Sequence, residues 1–324
     1  MKILAPLSAV DNYEILNDVG ADEFFCGFIP YEWLKKFCNL SAMNRREYMY
    51  TSNICFYDEL SILRKKVDKY KAPVKITLNS LYYTDEQYKI LIPIIKRIID
   101  IGFDTFIIAD LALIIYLREK GIKCNIHLSG EAAEINNLSM EFFSQFHIQR
   151  FIFHRKNSLD DMASCIKSNT KMNLEYEAFV LNELCTYSGA FCNSIHCEEL
   201  ENACSIPFQM SRVHSESRLF HSVDRTFKLI QKMERNHIAD GRKNQHFFGS
   251  TGCGVCRLNR MKQIGVTNLK VVGRGKNIDL LKDDIILLRK MVDLTCNDLV
   301  DKEFTGLVKE KLLGNHCSNL CYYL

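Results

Sequence analysis

The sequence predicts an α/β fold, a TIM-like (β/α) barrel, complete or distorted, on three observations. Short apolar strands alternate with amphipathic helices through seven units before residue 182. An eighth strand pattern returns much later, at Leu269 to Val272. Between them the rhythm breaks into a polar, cysteine-rich stretch. In barrels such insertions follow the C-terminal ends of strands, where active sites are built. Parallel strands with helical crossovers also make open doubly wound sheets, the competing architecture.

Each unit has its own local signal. Lys2 to Leu7 reads as the first strand, with a helix over Asp11 to Val19. The turn at Gly20-Ala21 leads into a strand from Asp22 to Phe28. Tyr57 to Tyr70 is helical because Leu60, Leu63 and Val67 recur on one face. Val74 to Asn79 is a strand, and Thr84-Asp85 caps a helix running to Ile101. The alternation continues with Thr105 to Ala109, Leu111 to Lys120, Lys123 to Leu128, Asn137 to Phe146, Arg150 to Phe153, Leu159 to Lys167 and Leu174 to Leu181. Phe220 to Ile238 reads as a helix inside the insertion. Leu280, Leu281, Ile285, Leu288 and Met291 form a helix-spaced stripe expected to pack on the barrel. The expected division is a barrel over residues 1–276, including the cysteine-rich segment 182–256, and a helical extension over 277–324.

Composition narrows the function classes. Forty-two basic residues against 39 acidic ones give a net charge of +3, so a strongly basic nucleic-acid-binding protein is not indicated. A local patch of Arg242, Lys243 and His246 beside Phe247 and Phe248 leaves an RNA contact open. The apolar runs from Leu91 and from Phe106 are broken by charges, short of the roughly 20 residues that span a bilayer. The N-terminus reads as a strand rather than a leader, so a cytoplasmic protein is expected.

The 14 cysteines are the informative number. In a reducing compartment they are not expected to form a disulfide framework. Cys26, Cys55, Cys124 and Cys165 fall within or beside strand and helix patterns and read as buried thiols. Cys185, Cys192, Cys197, Cys204, Cys253 and Cys256 instead occupy the irregular segment and its exit, near Gly189, Gly252 and Gly254. Thiolates gathered on turns select zinc or an iron–sulfur cluster. A zinc ribbon wants two CxxC pairs about 15–20 residues apart, and this stretch has one, Cys253 to Cys256. Wider spacing suits a four-cysteine cluster, while zinc stays open. Cys317 and Cys321, four residues apart at the tail, either complete a metal site by folding back or are docking thiols on a frayed end.

The run Glu177-Ala178-Phe179, with Cys185 eight residues after the Glu and Cys192 seven further on, resembles the hallmark of the collagenase-like peptidase family U32. The family pattern is Glu-x-Phe, then Gly-Ser/Ala-aliphatic-Cys, then Gly-x-Cys. Glu177, Phe179, Leu184, Cys185 and Cys192 are kept. Asn182 and Glu183 replace the Gly and Ser/Ala, and Gly189 stands one place early. Further segments follow in family order: ILAPL resembles LAPAG, GADEFFCGF resembles GADAVYFG, ITLN resembles TLN, FIIADLALI resembles IVQDLG, HLSGE resembles HASTQ, FHRK resembles LSRE, and LKVVGR resembles LKIEGR. The likeness runs from residue 1 to about 295.

The resemblance implies an α/β barrel carrying a [4Fe-4S] cluster on four cysteines. Despite the peptidase name, it implies oxygen-independent hydroxylation, in ubiquinone synthesis or on tRNA and ribosomal RNA bases, with prephenate as oxygen donor for several members. It also implies, for some members, a heterodimer with a second U32 protein. By position, Cys185, Cys192 and Cys204 match three ligands. Cys253, twelve residues before Gly265, matches the fourth, with Cys256 as an alternative or additional ligand and Cys197 as the weaker candidate.

Glu177 and His127 are the expected catalytic residues. A carboxylate pointing into a barrel is costly unless paired or functional. The competing reading for Glu177 is a salt bridge to Arg155 or Arg274, and for His127 a hydrogen-bonded core residue. Ser129 and Glu131 close the same strand as His127 and face the same mouth. Asn79 and Asp110 end strands, and Asp110 reads better as a helix cap. Gly273-Arg274-Gly275-Lys276 suits an anion or a simple turn. Two other functions compete: a thiol peptidase using Cys197 with His196 or His127, and a non-catalytic zinc or cluster subunit docked on another U32 chain.

Overall fold

Eight parallel strands close into a barrel in the computed structural model, which describes residues 1–38, 43–46, 51–132, 135–170, 173–185, 192, 247–297, 299–314, 317–318 and 320–323. In chain order the strands are β1 (Lys2–Leu7), β2 (Glu23–Phe28), the two-residue β3 (Asn53–Ile54), β4 (Val74–Leu78), β5 (Thr105–Ile108), β6 (Asn125–Leu128), β7 (Ile148–Ile152), β8 (Glu175–Leu181) and β9 (Asn268–Val271). The ring runs β1-β2-β4-β5-β6-β7-β8-β9 and closes where β9 pairs with β1, Ile3 opposite Leu269. The short β3 pairs only with β2, outside the ring. Closure decides for the barrel and against the open sheet.

Helices α1 (Asn12–Asp18), α2 (Tyr31–Phe37), α3 (Tyr57–Tyr70), α4 (Asp85–Ile101), α5 (Leu111–Glu119), α6 (Asn137–Ser144) and α7 (Leu159–Ser168) follow the first six ring strands, α2 and α3 both coming between β2 and β4, and α8 (Leu258–Ile264) precedes β9. Local chemistry sets several starts. Thr84 accepts from the Gln87 amide while Gln87 bonds back to the Thr84 amide, a reciprocal cap. Asp110 accepts from Ala112 N at 2.9 Å, the predicted cap, and also from Tyr83 N and Tyr88 Oη. The outward faces of the strands pack under the helices; Ile3, Phe24, Ile76, Phe106 and Phe151 are fully buried there.

The C-terminal stripe forms α9 (Ile278–Leu294), which buries Leu281, Ile285, Leu288 and Met291 and completes the last βα unit against α1 and β1. Arg289 ties it to the turn before β2 by donating to the Gly20 carbonyl and to Asp22. The sequence boundary at 276/277 therefore falls between the last barrel strand and its own helix. A short helix, α10 (Asp301–Leu307), and a further turn over Val308–Leu312 follow. The expected helix over Phe220 to Ile238 lies outside the described residues.

The inward positions below the mouth are charged rather than apolar. Arg150 donates to Glu23 at 2.8 Å, to Glu177 at 2.9 Å and to Glu175 at 3.0 Å. Lys75 meets Glu23 at 2.8 Å, and Lys270 meets Glu177 at 2.8 Å. Burial alone would raise the Glu23 carboxyl, but Lys75 and Arg150 outweigh it and hold it down at about 2. Such a network is costly to desolvate and costlier to break, and it forms the floor on which the site rests.

Candidate active site at the barrel mouth

The C-terminal strand ends open on a cavity of about 70 Å³. Alternate residues along a strand share a face, and here that face brings Phe25, Thr77, Ile107, Ser129, Ile152 and Phe179 to the cavity wall. Loops beyond the strands add Arg45, Arg46, Asn79, Glu131, Arg155, Glu183 and Arg274, and Lys270 rises from β9. Five cationic side chains thus face two carboxylates, which makes the mouth attractive to anions.

These cations are held in place. Arg155 reaches Glu131 at 3.4 Å and lies over the Phe179 ring, 4.1 Å from its centroid. Arg46 pairs with Glu183. Arg274 donates to Asn44 Oδ1 at 2.9 Å and Asn53 Oδ1 at 3.2 Å. Burial, with the nearby Arg46 charge, pulls Arg274 below its ordinary value, so an approaching anion relieves it. Gly27 makes this approach possible. A β-carbon there would stand 1.9 Å from Asn53 Oδ1 and 2.0 Å from the Arg274 guanidinium.

The departure from the family pattern at the end of β8 has a local explanation. Asn182 and Glu183 both take left-handed backbone, with φ of 69° and 53°. A glycine adopts that conformation freely, and Asn is among the few other residues that do so at modest cost. Asn182 is anchored by donating to Asp284 at 3.0 Å and Val272 O at 3.3 Å. Glu183 is anchored by Arg46. The turn the family makes with glycine is made here by side-chain bonds, and it delivers Cys185 to the rim.

The predicted catalytic pair lies lower than expected from the strand ends. Glu177 is completely buried between Arg150 and Lys270, so its salt-bridge partners are these two rather than Arg155 or Arg274. Burial pushes its carboxyl up, and Lys270 and Arg150 more than reverse that. His127 is buried one layer below Ser129. Burial, reinforced by Arg150, Lys75 and Lys270, keeps its imidazole well below the ordinary value and therefore neutral.

Of the expected ligands, Cys185 is half-buried and Cys192 buried, and Arg45 donates to Cys192 Sγ at 2.8 Å. Arg155 is close enough to Cys185 to feel its charge. Cys197 and Cys204 lie outside the described residues, as do Arg242, Lys243 and His246. Cys253 stands elsewhere, on a cavity shared with Cys256, Cys317 and Cys321. Among the described residues no three His, Cys, Asp or Glu side chains are already arranged around an ion. Cys26, Cys55 and Cys165 are buried and Cys124 half-buried, as expected of structural thiols. Burial raises all four, Cys26 to about 12.

Arg45, Arg46 and Arg150 were not singled out from sequence, whereas Arg155 and Arg274 were. Arg45 and Arg46 sit in an irregular NRRE stretch that carries no motif. Lys75 and Arg150 did leave a signal: each is a lone charge inside an apolar strand, and such residues are seldom buried without a partner.

A model described as peptidase family U32 matches residues 9–317 of the chain. The chain is 23% identical to tRNA hydroxylation protein P of Escherichia coli K12, over 61% of this chain and 51% of that protein. It is 28% identical to the protein of the same name in Haemophilus influenzae Rd, over 58% of this chain and 37% of that one. It is 22% identical to tRNA hydroxylation protein P1 of Bacillus subtilis 168, over 92% of this chain and 64% of that one. The chain thus spans only part of the length of these relatives, about half in the first case. The solved structure of a U32 peptidase superposes with a TM-score of 0.46 at 9% identity, covering 84% of this chain and 93% of its own. Among the described residues no helix is long and apolar enough to cross a membrane.

Proposed function

The chain belongs to peptidase family U32, and from that premise we propose that it takes part in oxygen-independent hydroxylation of an RNA base, with an iron–sulfur cluster held at the barrel mouth. The cationic rim carries this reading. Arg45, Arg46, Arg155 and Arg274 converge on one cavity, the charge an RNA backbone requires. Relatives named as tRNA hydroxylation proteins supply the substrate class.

Cys185, Cys192 and Cys204 are the proposed cluster thiolates, with Cys253 or Cys256 as the fourth ligand by resemblance. The residues at the rim suit such a group. A four-thiolate [4Fe-4S] centre is anionic, and donors to its sulfurs tune and retain it. Arg45 already donates to Cys192, and Arg155 faces Cys185. When bound, the cluster would supply one-electron chemistry. The chain's own groups bind and orient. Arg46 and Arg274 would hold phosphate oxygens, and Arg155, its guanidinium carbon 4.1 Å from the Phe179 ring centroid, would offer a guanidinium on which a base stacks. Neutral His127 and paired Glu177 support the floor beneath.

A peptidase needs a His within reach of a nucleophilic Cys. Of its two candidate bases, His196 lies with Cys197 outside the described residues, and the charged groups acting on His127 are Arg150, Lys75 and Lys270, which does not favour His127 as a base. A second U32 chain remains the proposed partner, and zinc the alternative metal. Nucleoside mass spectrometry of tRNA and ribosomal RNA from a deletion strain tests the proposal. A hydroxylated base should vanish, return with the wild-type chain, and stay absent with Cys185→Ser. Unchanged RNA in the deletion strain would overturn it.

A further inference from the structure

We propose that Cys253, Cys256, Cys317 and Cys321 form a four-thiolate site for a single Zn²⁺ ion that clamps the C-terminal tail onto the end of β8, apart from the mouth. All four thiols line one cavity. The backbone already brings their two segments together. Cys253 N donates to Leu320 O at 2.9 Å, Tyr322 N donates to Cys253 O at 2.9 Å, and Cys253 and Cys321 pair in a parallel bridge. The tail is then fixed by its aromatic end, where Tyr323 Oη donates to Phe179 O at 2.7 Å and Tyr322 to Asn182 O.

Spacing, size and charge each favour zinc. A C-x₂-C pair and a C-x₃-C pair both fall in the range structural zinc sites use. The second pair, missing near Cys253 in sequence, is returned by the fold. The cavity measures about 20 Å³, room for one water-sized occupant. Arg257 lines it, and Lys309 lies within electrostatic reach of Cys256, which offsets the anionic charge of a zinc tetrathiolate. The turn entering the pair is drawn tightly around Cys253. Gly249 has φ of +73°, and a β-carbon there would lie 3.2 Å from Cys253 Sγ.

The sulfurs are not at coordination geometry, and side-chain rotation is the change that would bring them there. Each Cys has one side-chain torsion, and a step between staggered wells moves its sulfur on the order of 3 Å. This assignment replaces the resemblance-based placing of Cys253 or Cys256 in the cluster set; Cys185, Cys192 and, by sequence alone, Cys197 and Cys204 remain as candidate cluster thiolates. The inference does not rest on a cluster being present at the mouth.

The test uses the purified full-length chain, its Cys317→Ser/Cys321→Ser variant, and a Cys185→Ser/Cys192→Ser variant. Metals are measured by mass spectrometry, and chelator-stripped, reduced protein is titrated with Zn²⁺ alone and Co²⁺ alone. The expected result is about one zinc per chain, kept by the Cys185/Cys192 variant and lost at least tenfold by the tail variant. Co²⁺ should give the visible bands of a tetrahedral thiolate site only where Cys317 and Cys321 are present. Cys256→Ser, on the opposite wall, should give the same loss independently. Zinc retained by the tail variant, or no uptake of either ion by the wild type, would overturn the proposal. So would loss of iron instead of zinc on changing the tail cysteines, which would assign them to a cluster. Loss of mouth iron in the Cys185/Cys192 variant alone bears on the proposed function and leaves this inference standing.

Discussion

Glu177→Gln should destabilise the protein sharply, and Lys270→Met in the same chain should restore much of the loss. Gln keeps the size of the side chain and removes its charge. Arg150 retains Glu23 and Glu175 after the change. Lys270 does not: among the described residues Glu177 is the carboxylate it meets, at 2.8 Å, and its other close neighbours are the faces of Phe25 and Phe179. Breaking a buried pair by neutralising one partner costs about 3–5 kcal/mol. At about 2 °C per kcal/mol for a chain of this size, the melting temperature should fall by about 6–10 °C. Replacing the ammonium as well removes the stranded charge, so the double variant should recover more than half of that loss. Calorimetry on the wild type, both single variants and the double variant gives the coupling directly. A Glu177→Gln protein melting within about 1 °C of the wild type would refute the view that this carboxylate anchors the floor of the site. So would a double variant whose losses simply add.

The same floor predicts an acid-sensitive fold. Glu23 is held at about 2 against an ordinary 4.5, so its contribution of roughly 3 kcal/mol is full above pH 4.5 and is lost as pH falls toward 2. Urea midpoints across that window should drop, and Glu23→Gln should flatten the dependence; an identical slope in the variant would count against it. Gly27→Ala should displace Arg274 and cost about 1–3 kcal/mol. It should also weaken the proposed RNA binding and make its salt dependence shallower by about one phosphate contact. Unchanged binding would remove Arg274 from the anion site.

Periodicity sufficed for the barrel because its short, mostly apolar strands alternate regularly with amphipathic helices. The late strand at Leu269 was readable for the same reason. Two features near the mouth were not: α2, two turns long between Pro30 and Cys38, and β3, which has only two residues. Such elements owe their form to packing, as the fully buried Trp33 shows, rather than to local pattern. At the site, the sequence singled out Cys185 and Cys192, and the structure puts Arg155 near the first and Arg45 on the second. The partners of Glu177 were not legible, because Arg150 on β7 and Lys270 on β9 reach it only through the pairing of those strands with β8, Lys270 from 93 residues away. Cys317 and Cys321 carried a visible spacing but no address. The pairing of Cys321 with Cys253 supplies the address, and it depends on a chain reversal that no local signal encodes.

Iron and acid-labile sulfide in the anaerobically purified full-length chain, compared with Cys185→Ser/Cys192→Ser, test the central claim most directly. The account predicts iron and sulfide in equal amounts, about four of each per chain, with brown absorbance that the variant loses. Iron and colour fully retained without Cys185 and Cys192, or a wild-type chain holding zinc and no sulfide, would contradict it.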